Sequence, residues 1–176
     1  MSIRVCAGIY RSRVLQCPSR DVRPTTDRVK QAVFSTLPLD LAGTGVLDLF
    51  SGCGNLGIEA ISRGAAMVTF VDASPQSIRA VQKNISTLDA GEHARIIRSE
   101  AGSFVRKCED SFDVVFMDPP YNKGLASQLS PQVYKLLKNG GVLVIEHSPH
   151  EPIPVTPWKA RTYGDTVITY LRKGAP

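Results

Sequence analysis

Gly45-Val-Leu-Asp-Leu-Phe-Ser-Gly-Cys-Gly-Asn-Leu-Gly57 carries an apolar run directly into a glycine loop, and apolar residues at helical spacing follow over 55–63. The run 45–50 reads as a buried strand. Glycines at 52, 54 and 57 let the chain turn tightly and let a ligand lie against the backbone, while the next helix offers unpaired N–H groups at its start. Strand, glycine loop and helix in that order make the nucleotide-type pocket of a doubly wound α/β domain.

Outward from this stretch the same alternation repeats. Branched or aromatic clusters at 66–71, 95–98, 112–117 and 141–146 predict further strands. Helical spacing predicts helices over 75–88, 101–107 and 127–138, with Ser74-Pro75 as N-cap and N1, and Asn139-Gly140-Gly141 ending the last. Near-continuous apolar strands between helices predict a mostly parallel sheet covered on both faces. Two β-like runs, 158–163 and 166–172, flank Gly164-Asp165 and predict a C-terminal antiparallel hairpin. At the other end, 3–15 predicts a small hairpin turning near Gly8, and Thr25 or Thr26 caps a helix through Thr36. The Pro-rich stretch 149–157 is a loop.

With 176 residues and 43% apolar composition, one domain is expected, an arm and helix over 1–37 and a Rossmann-like core over 38–176. No long apolar run signals a membrane span or leader, so a cytoplasmic protein is expected. Four cysteines and three histidines show no metal-ligand spacing and no disulfide frame. The net charge of +5 sits entirely in residues 1–30, seven basic side chains against Asp21 and Asp27. A positive arm of this kind suits a polyanion.

Asp72 ends the second core strand twenty residues after Gly52, where a carboxylate can accept from both hydroxyls of a ribose. NAD and S-adenosylmethionine both fit that arrangement. Asp48 favours the second, because a carboxylate beside the ligand suits the cationic amino group of a methionine moiety better than a pyrophosphate; it could also simply tie down the loop. Asp118-Pro119-Pro120-Tyr121 then falls at the carboxyl end of the fourth strand. The Asp118 carboxylate and the Pro119 carbonyl can each accept one N–H of a planar amine, and Tyr121 can stack on its ring. Such a site works mainly by aligning a reactive methyl group with the amine nitrogen.

These segments resemble the bacterial RsmD-type ribosomal RNA guanine-N2 methyltransferases, within the class I S-adenosylmethionine-dependent fold. The resemblance covers nearly the whole chain and rests on 23–30 (Arg-Pro-Thr-Thr-Asp-Arg-Val-Lys), 47–65, 118–121 and Tyr163-Gly-Asp-Thr166. It implies methylation of guanine 966 of 16S ribosomal RNA, on an assembled or assembling small subunit; separately, a monomer without metal is expected. It also implies that Asp48, Phe50, Ser51, Gly52, Gly54 and Asp72 hold the cofactor, with Glu100 and Ala101 against its adenine. Asp118, Pro119, Pro120 and Tyr121 would carry the target base, and Arg4, Arg11, Arg13, Arg23, Thr25, Thr26 and Arg28 would meet RNA. Three departures stand out: Cys53 replaces a small hydroxyl residue, Glu100 an Asp or Asn, and Ser12 a second glycine.

The rival readings are amino methylation of DNA adenine or cytosine, or of a protein glutamine, and an NAD-type oxidoreductase or nucleotide-binding module. A DNA enzyme usually needs an added domain to read base edges, the resemblance would put Asn in place of Asp118 for a glutamine enzyme, and an oxidoreductase leaves the tetrad without a role. His147 and His150 are expected to be incidental, Trp158 to pack on the sheet, and Glu59 with Arg63 to form a surface pair.

Overall fold

The computed structural model describes residues 2–17, 27–38, 40–121 and 123–174. An antiparallel hairpin, β1 (Ser2–Arg4) with β2 (Val14–Gln16), is followed by α1 (Asp27–Thr36). The core then alternates β3 (Gly45–Leu49), α2 (Asn55–Ser62), β4 (Met67–Asp72), α3 (Pro75–Thr87), β5 (Ala94–Arg98), α4 (Ala101–Lys107), β6 (Phe112–Met117) and α5 (Leu125–Lys135). It closes with β7 (Leu137–His147), β8 (Lys159–Tyr163) and β9 (Thr166–Arg172). The seven-stranded sheet has the order β5-β4-β3-β6-β7-β9-β8, with β9 antiparallel to both β7 and β8.

Side-chain alternation splits the core into two layers. Val46, Phe70, Phe116 and Val144 face α1, α2 and α3, while Leu47, Val71, Val115 and Leu143 face α4 and α5. One expectation of the sequence fails at the last helix. It ends at Lys135, and 139–141 lie inside β7, because the β6–β7 register jumps from Phe112↔Leu137 to Val114↔Val142 and absorbs the glycines as a bulge. Gly140 and Gly141 there bond the backbone of Lys173.

The arm is clamped to α2 rather than solvated beside it. The backbone N–H groups of Cys6 and Ala7 donate to Glu59 at 2.8 and 3.0 Å, and Ile9 and Tyr10 donate to the Ser62 carbonyl and hydroxyl. Gly8, at φ +80°, lies so close to the Ser62 carbonyl that a Cβ would stand 1.7 Å from its oxygen. Only glycine fits there. Ser12 takes φ +69°, the left-handed backbone that suits the glycine the family resemblance leads one to expect there.

Two further expectations are corrected here. Glu59 is not part of a surface pair: it is 0% exposed and binds Lys30 at 3.3 Å, itself 0% exposed, as well as Arg63. Burial of a carboxylate and an ammonium together is tolerated because each finds several partners, Lys30 also reaching Asn55 and the Arg4 carbonyl. Trp158 does not pack into the sheet; it is 41% exposed at the sheet edge, flanked by Lys159 and Arg172.

Cys17 and Cys53 form a disulfide with Cα atoms 5.2 Å apart, overturning the expectation that no disulfide would form. Their separation of 36 residues carries no signal in sequence; docking of β2 on α3, where Gln16 and Asn84 exchange two hydrogen bonds, brings Cys17 to the glycine loop. A crosslink closing a loop of that length stabilises by about 3–4 kcal/mol in the chain-entropy view. Cys17→Ser is therefore expected to lower the melting temperature by about 10 °C relative to the oxidised protein in a thermal scan, and added reductant should do the same to the wild type but not to the variant.

Candidate active site

The strand order reverses at β3 and β6, whose outgoing chains leave toward opposite sides, and a crevice opens at their carboxyl ends. A cavity of about 600 Å³ occupies it. Phe50 and Gly52 of the glycine loop, Asp72 and Ser74 at the end of β4, Glu100 and Ala101 at the start of α4, and Asp118 to Tyr121 after β6 line it together. Val71, Ala73, Ser77, Ser99, Lys123, Leu125 and Glu146 complete the wall. Reasoning from sequence missed Glu146, although its place at the end of the strand beside β6 is a usable signal.

Asp72 is held by two backbone donors, Gly52 N–H on Oδ2 at 2.9 Å and Ser74 N–H on Oδ1 at 2.8 Å. Each oxygen keeps lone-pair capacity for a further donor. Ser74 also caps α3, as its sequence predicts, by accepting from Ser77 N–H at 3.3 Å. Phe50 takes φ +69°, an uncommon backbone for a residue with a side chain, at the cavity wall.

Asp48, Ser51 and Gly54, expected among the cofactor residues, do not line the cavity. Alternation along β3 puts Asp48 on the layer of Val46, facing α2, where its Oδ2 accepts from Gly57 N–H at 2.8 Å. It is the loop tie that the sequence left open. Burial pushes its carboxyl up to about 7, against the pull of that hydrogen bond. Gly54, at φ +83°, starts α2, and the Ser51 hydroxyl is buried in the loop without a partner among the described residues.

Asp118 and Pro119 stand on the cavity wall beside Tyr121, whose hydroxyl donates to Glu146 Oε1 at 2.9 Å and lies 2.9 Å from Thr166 Oγ1. Burial, then the Glu146 and Asp48 carboxylates, raise Asp118 well above the ordinary carboxylate range. Burial likewise raises the Tyr121 phenol, so it stays a neutral donor. His147 is buried and bonds Thr169 Oγ1 through Nε2 at 2.8 Å, a structural role.

Of the residues expected to meet RNA, Arg4, Arg11, Arg13 and Arg28 are exposed and none lines the cavity. Arg13 donates to the Thr87 carbonyl at 3.3 Å. Arg23, Thr25 and Thr26 lie outside the described residues. Lys30, counted in the basic arm, is withdrawn from the surface by Glu59.

The fit of a cofactor can be judged from this wall. Among the described residues, four carboxyl groups (Asp72, Glu100, Asp118 and Glu146) face one cation, Lys123, a balance that favours a cationic ligand and opposes a pyrophosphate. The anchored Asp72 offers its remaining lone pairs to the hydroxyls of a polar ligand. The doubly wound sheet with this strand order is the class I methyltransferase fold; an RNA methyltransferase of Salinibacter ruber in complex with S-adenosyl-L-homocysteine shares it at 16% identity, TM-score 0.68, over 85% of this chain and 92% of that one.

The chain belongs to the family described as conserved hypothetical protein 95, whose model matches residues 3–172. Ribosomal RNA small subunit methyltransferase D of Escherichia coli K12 is 38% identical over 82% of this chain and 71% of its own. A solved hypothetical protein of Thermus thermophilus has a TM-score of 0.83 at 28% identity, covering 96% of this chain and 98% of that one. The resemblance to RsmD-type enzymes is thereby borne out.

Gly57 couples the loop to the helix: an added Cβ would stand 2.2 Å from the Phe70 ring and 2.9 Å from Asp48 Oδ2. Gly57→Ala is expected to cost about 1–3 kcal/mol of stability and to weaken S-adenosylmethionine binding, measured by denaturant unfolding and calorimetry on the same sample.

Proposed function

We propose that this protein transfers a methyl group from S-adenosylmethionine to the exocyclic N2 of a guanine in small-subunit ribosomal RNA, at the position equivalent to 966. The single observation that carries the reading is the acidic, amine-accepting cavity wall at Asp118–Tyr121 in a chain of this family. The name of the Escherichia coli relative supports the choice of ribosomal RNA. The enzyme acts in the cytoplasm as a monomeric single domain on an assembled or assembling subunit, 1–37 serving as arm and 38–176 as catalytic core.

Phe50, Gly52, Asp72, Glu100 and Ala101 hold the cofactor, Asp72 on the ribose and Glu100 with Ala101 against the adenine, while Asp48, Ser51 and Gly54 shape the loop from behind. Bound there, S-adenosylmethionine supplies an electrophilic methyl on a sulfonium. The Asp118 carboxylate and the Pro119 carbonyl each accept one N–H of the target amine, which turns the nitrogen lone pair out of conjugation. Pro120 stiffens the turn and Tyr121 stacks on the base. Alignment supplies most of the rate, and no strong base is needed. Arg4, Arg11, Arg13, Arg23, Thr25, Thr26 and Arg28 meet RNA phosphates and backbone.

Incubation with methyl-labelled cofactor and small subunits, naked 16S RNA or duplex DNA, followed by digestion to nucleosides, should yield N2-methylguanosine from the subunit sample. Label in another nucleoside, or none, defeats the reading. Asp118→Ala should abolish transfer and spare cofactor binding, whereas Asp72→Ala should weaken binding.

The raised Asp118 carboxyl sets a pH dependence. It is a full acceptor for its share of the amine N–H groups only when ionised, so transfer at saturating cofactor should rise with pH along an acid limb lying above the ordinary carboxylate range. A limb near pH 4 would contradict this assignment.

Arg11→Glu with Arg13→Glu should raise the KM for subunits and flatten its dependence on salt, since the slope follows the number of phosphates neutralised and falls by about one for each that is given up. An unchanged slope would remove the arm from the RNA interface.

A further inference from the structure

The motif Tyr163-Gly-Asp-Thr166 has no place in the mechanism above, and Glu146 was not among the expected site residues. The structure joins them. Gly164 and Asp165 turn the β8–β9 hairpin so that Thr166 opens β9. Thr166 Oγ1 reaches the Tyr121 hydroxyl at 2.9 Å, and that hydroxyl donates to Glu146 Oε1 at 2.9 Å. A consistent proton order runs Thr166 to Tyr121 to Glu146, each hydroxyl donating to the next oxygen.

Glu146 stands beside Asp118 by register. β6 and β7 pair Phe116 with Val144 and Met117 with Ile145, and the next step along both strands reaches Asp118 and Glu146. Both residues belong to the same side-chain layer and line the same cavity, and the Glu146 charge is felt at Asp118. The Tyr121 hydroxyl on Oε1 at 2.9 Å fixes the carboxylate at the cavity wall.

Two adjacent carboxylates match two adjacent donors. Guanine presents its N2 amino group next to a ring N1–H, whereas adenine and cytosine present a ring nitrogen lone pair beside their amino groups. Building on the guanine-N2 reading above, we infer that Glu146 is a specificity-determining residue, accepting the ring N1–H of the target guanine while Asp118 and Pro119 hold its amine, with Thr166 and Tyr121 keeping that carboxylate in place. A base with a lone pair at the ring position meets a carboxylate instead of a donor and is rejected.

The test compares kcat/KM on small subunits reassembled with guanine or with 2-aminopurine at the methylated position; 2-aminopurine keeps the amino group but carries a lone pair at N1. Wild type should favour guanine strongly. E146Q keeps an oxygen for Tyr121 and gains an amide donor, so its guanine preference should shrink by about tenfold or more, and its acid limb should move to lower pH because a like charge has left Asp118. T166V leaves the carboxylate but loosens its hold, so the guanine preference should fall by a smaller factor than in E146Q.

A preference in E146Q within threefold of wild type overturns the assignment, as does a T166V preference that falls further than that of E146Q. If E146Q is too unstable to assay, E146D, which keeps the carboxylate, must retain the preference at reduced rate; its loss overturns the assignment too. N2-methylguanosine from wild type with an unchanged E146Q preference sinks Glu146 alone, whereas no N2-methylguanosine from wild type sinks the reading on which it rests.

Discussion

Parallel pairing of β3 with β6, at the point where the strand order reverses, is the constraint on which the site depends. Chains leaving these two strands go to opposite ends of the sheet, so nothing crosses the gap between them. The two-residue alternation of the strands then places Asp48, Asp118 and Glu146 on one layer at that edge. Burial strips hydration from Asp48 and Asp118, and the Glu146 and Asp48 charges add to the cost at Asp118 as the Asp72 charge does at Asp48. That cost is visible in the upward displacement of Asp48 and Asp118. A cationic ligand relieves it, which links the choice of cofactor to the architecture rather than to any single residue.

A second buried electrostatic element organises the arm. Glu59 sits on α2, directly after the glycine loop, and receives Lys30 from α1, Arg63 from the end of its own helix and two backbone N–H groups from the arm. The disulfide from Cys17 to Cys53 adds a covalent tie to the loop itself. The helix that begins at the cofactor pocket therefore also carries the basic hairpin. These ties hold the hairpin that carries Arg11 and Arg13 against α2.

Much of the fold was legible in the chain because its core strands are short, apolar and punctuated by glycine, aspartate and proline. The runs at 45–50, 66–71 and 112–117 fall within a residue or so of the observed strands, and Ser74-Pro75 caps α3 as read. The failure at Asn139-Gly140-Gly141 came from a tertiary effect: pairing on both sides of β7 turned a helix-stop signal into a bulge. Glu59 misled for a similar reason, since spacing four from Arg63 is the same on a surface helix and a buried one.

Within the site, residue types and their order announced a glycine loop, a carboxylate at Asp72 beside it and a rigid turn at 118–121, all on the cavity wall or leading into it, because these features depend on local backbone geometry. Which carboxylates share the cavity is a matter of strand register and layer. Only the assembled sheet withdrew Asp48 to tie Gly57, brought Glu146 beside Asp118, and carried Thr166 from a distant hairpin to the Tyr121 hydroxyl. Local turns follow from neighbours in the chain; a constellation drawn from β6, β7 and β9 requires the hydrogen-bonded ladders that set those strands side by side.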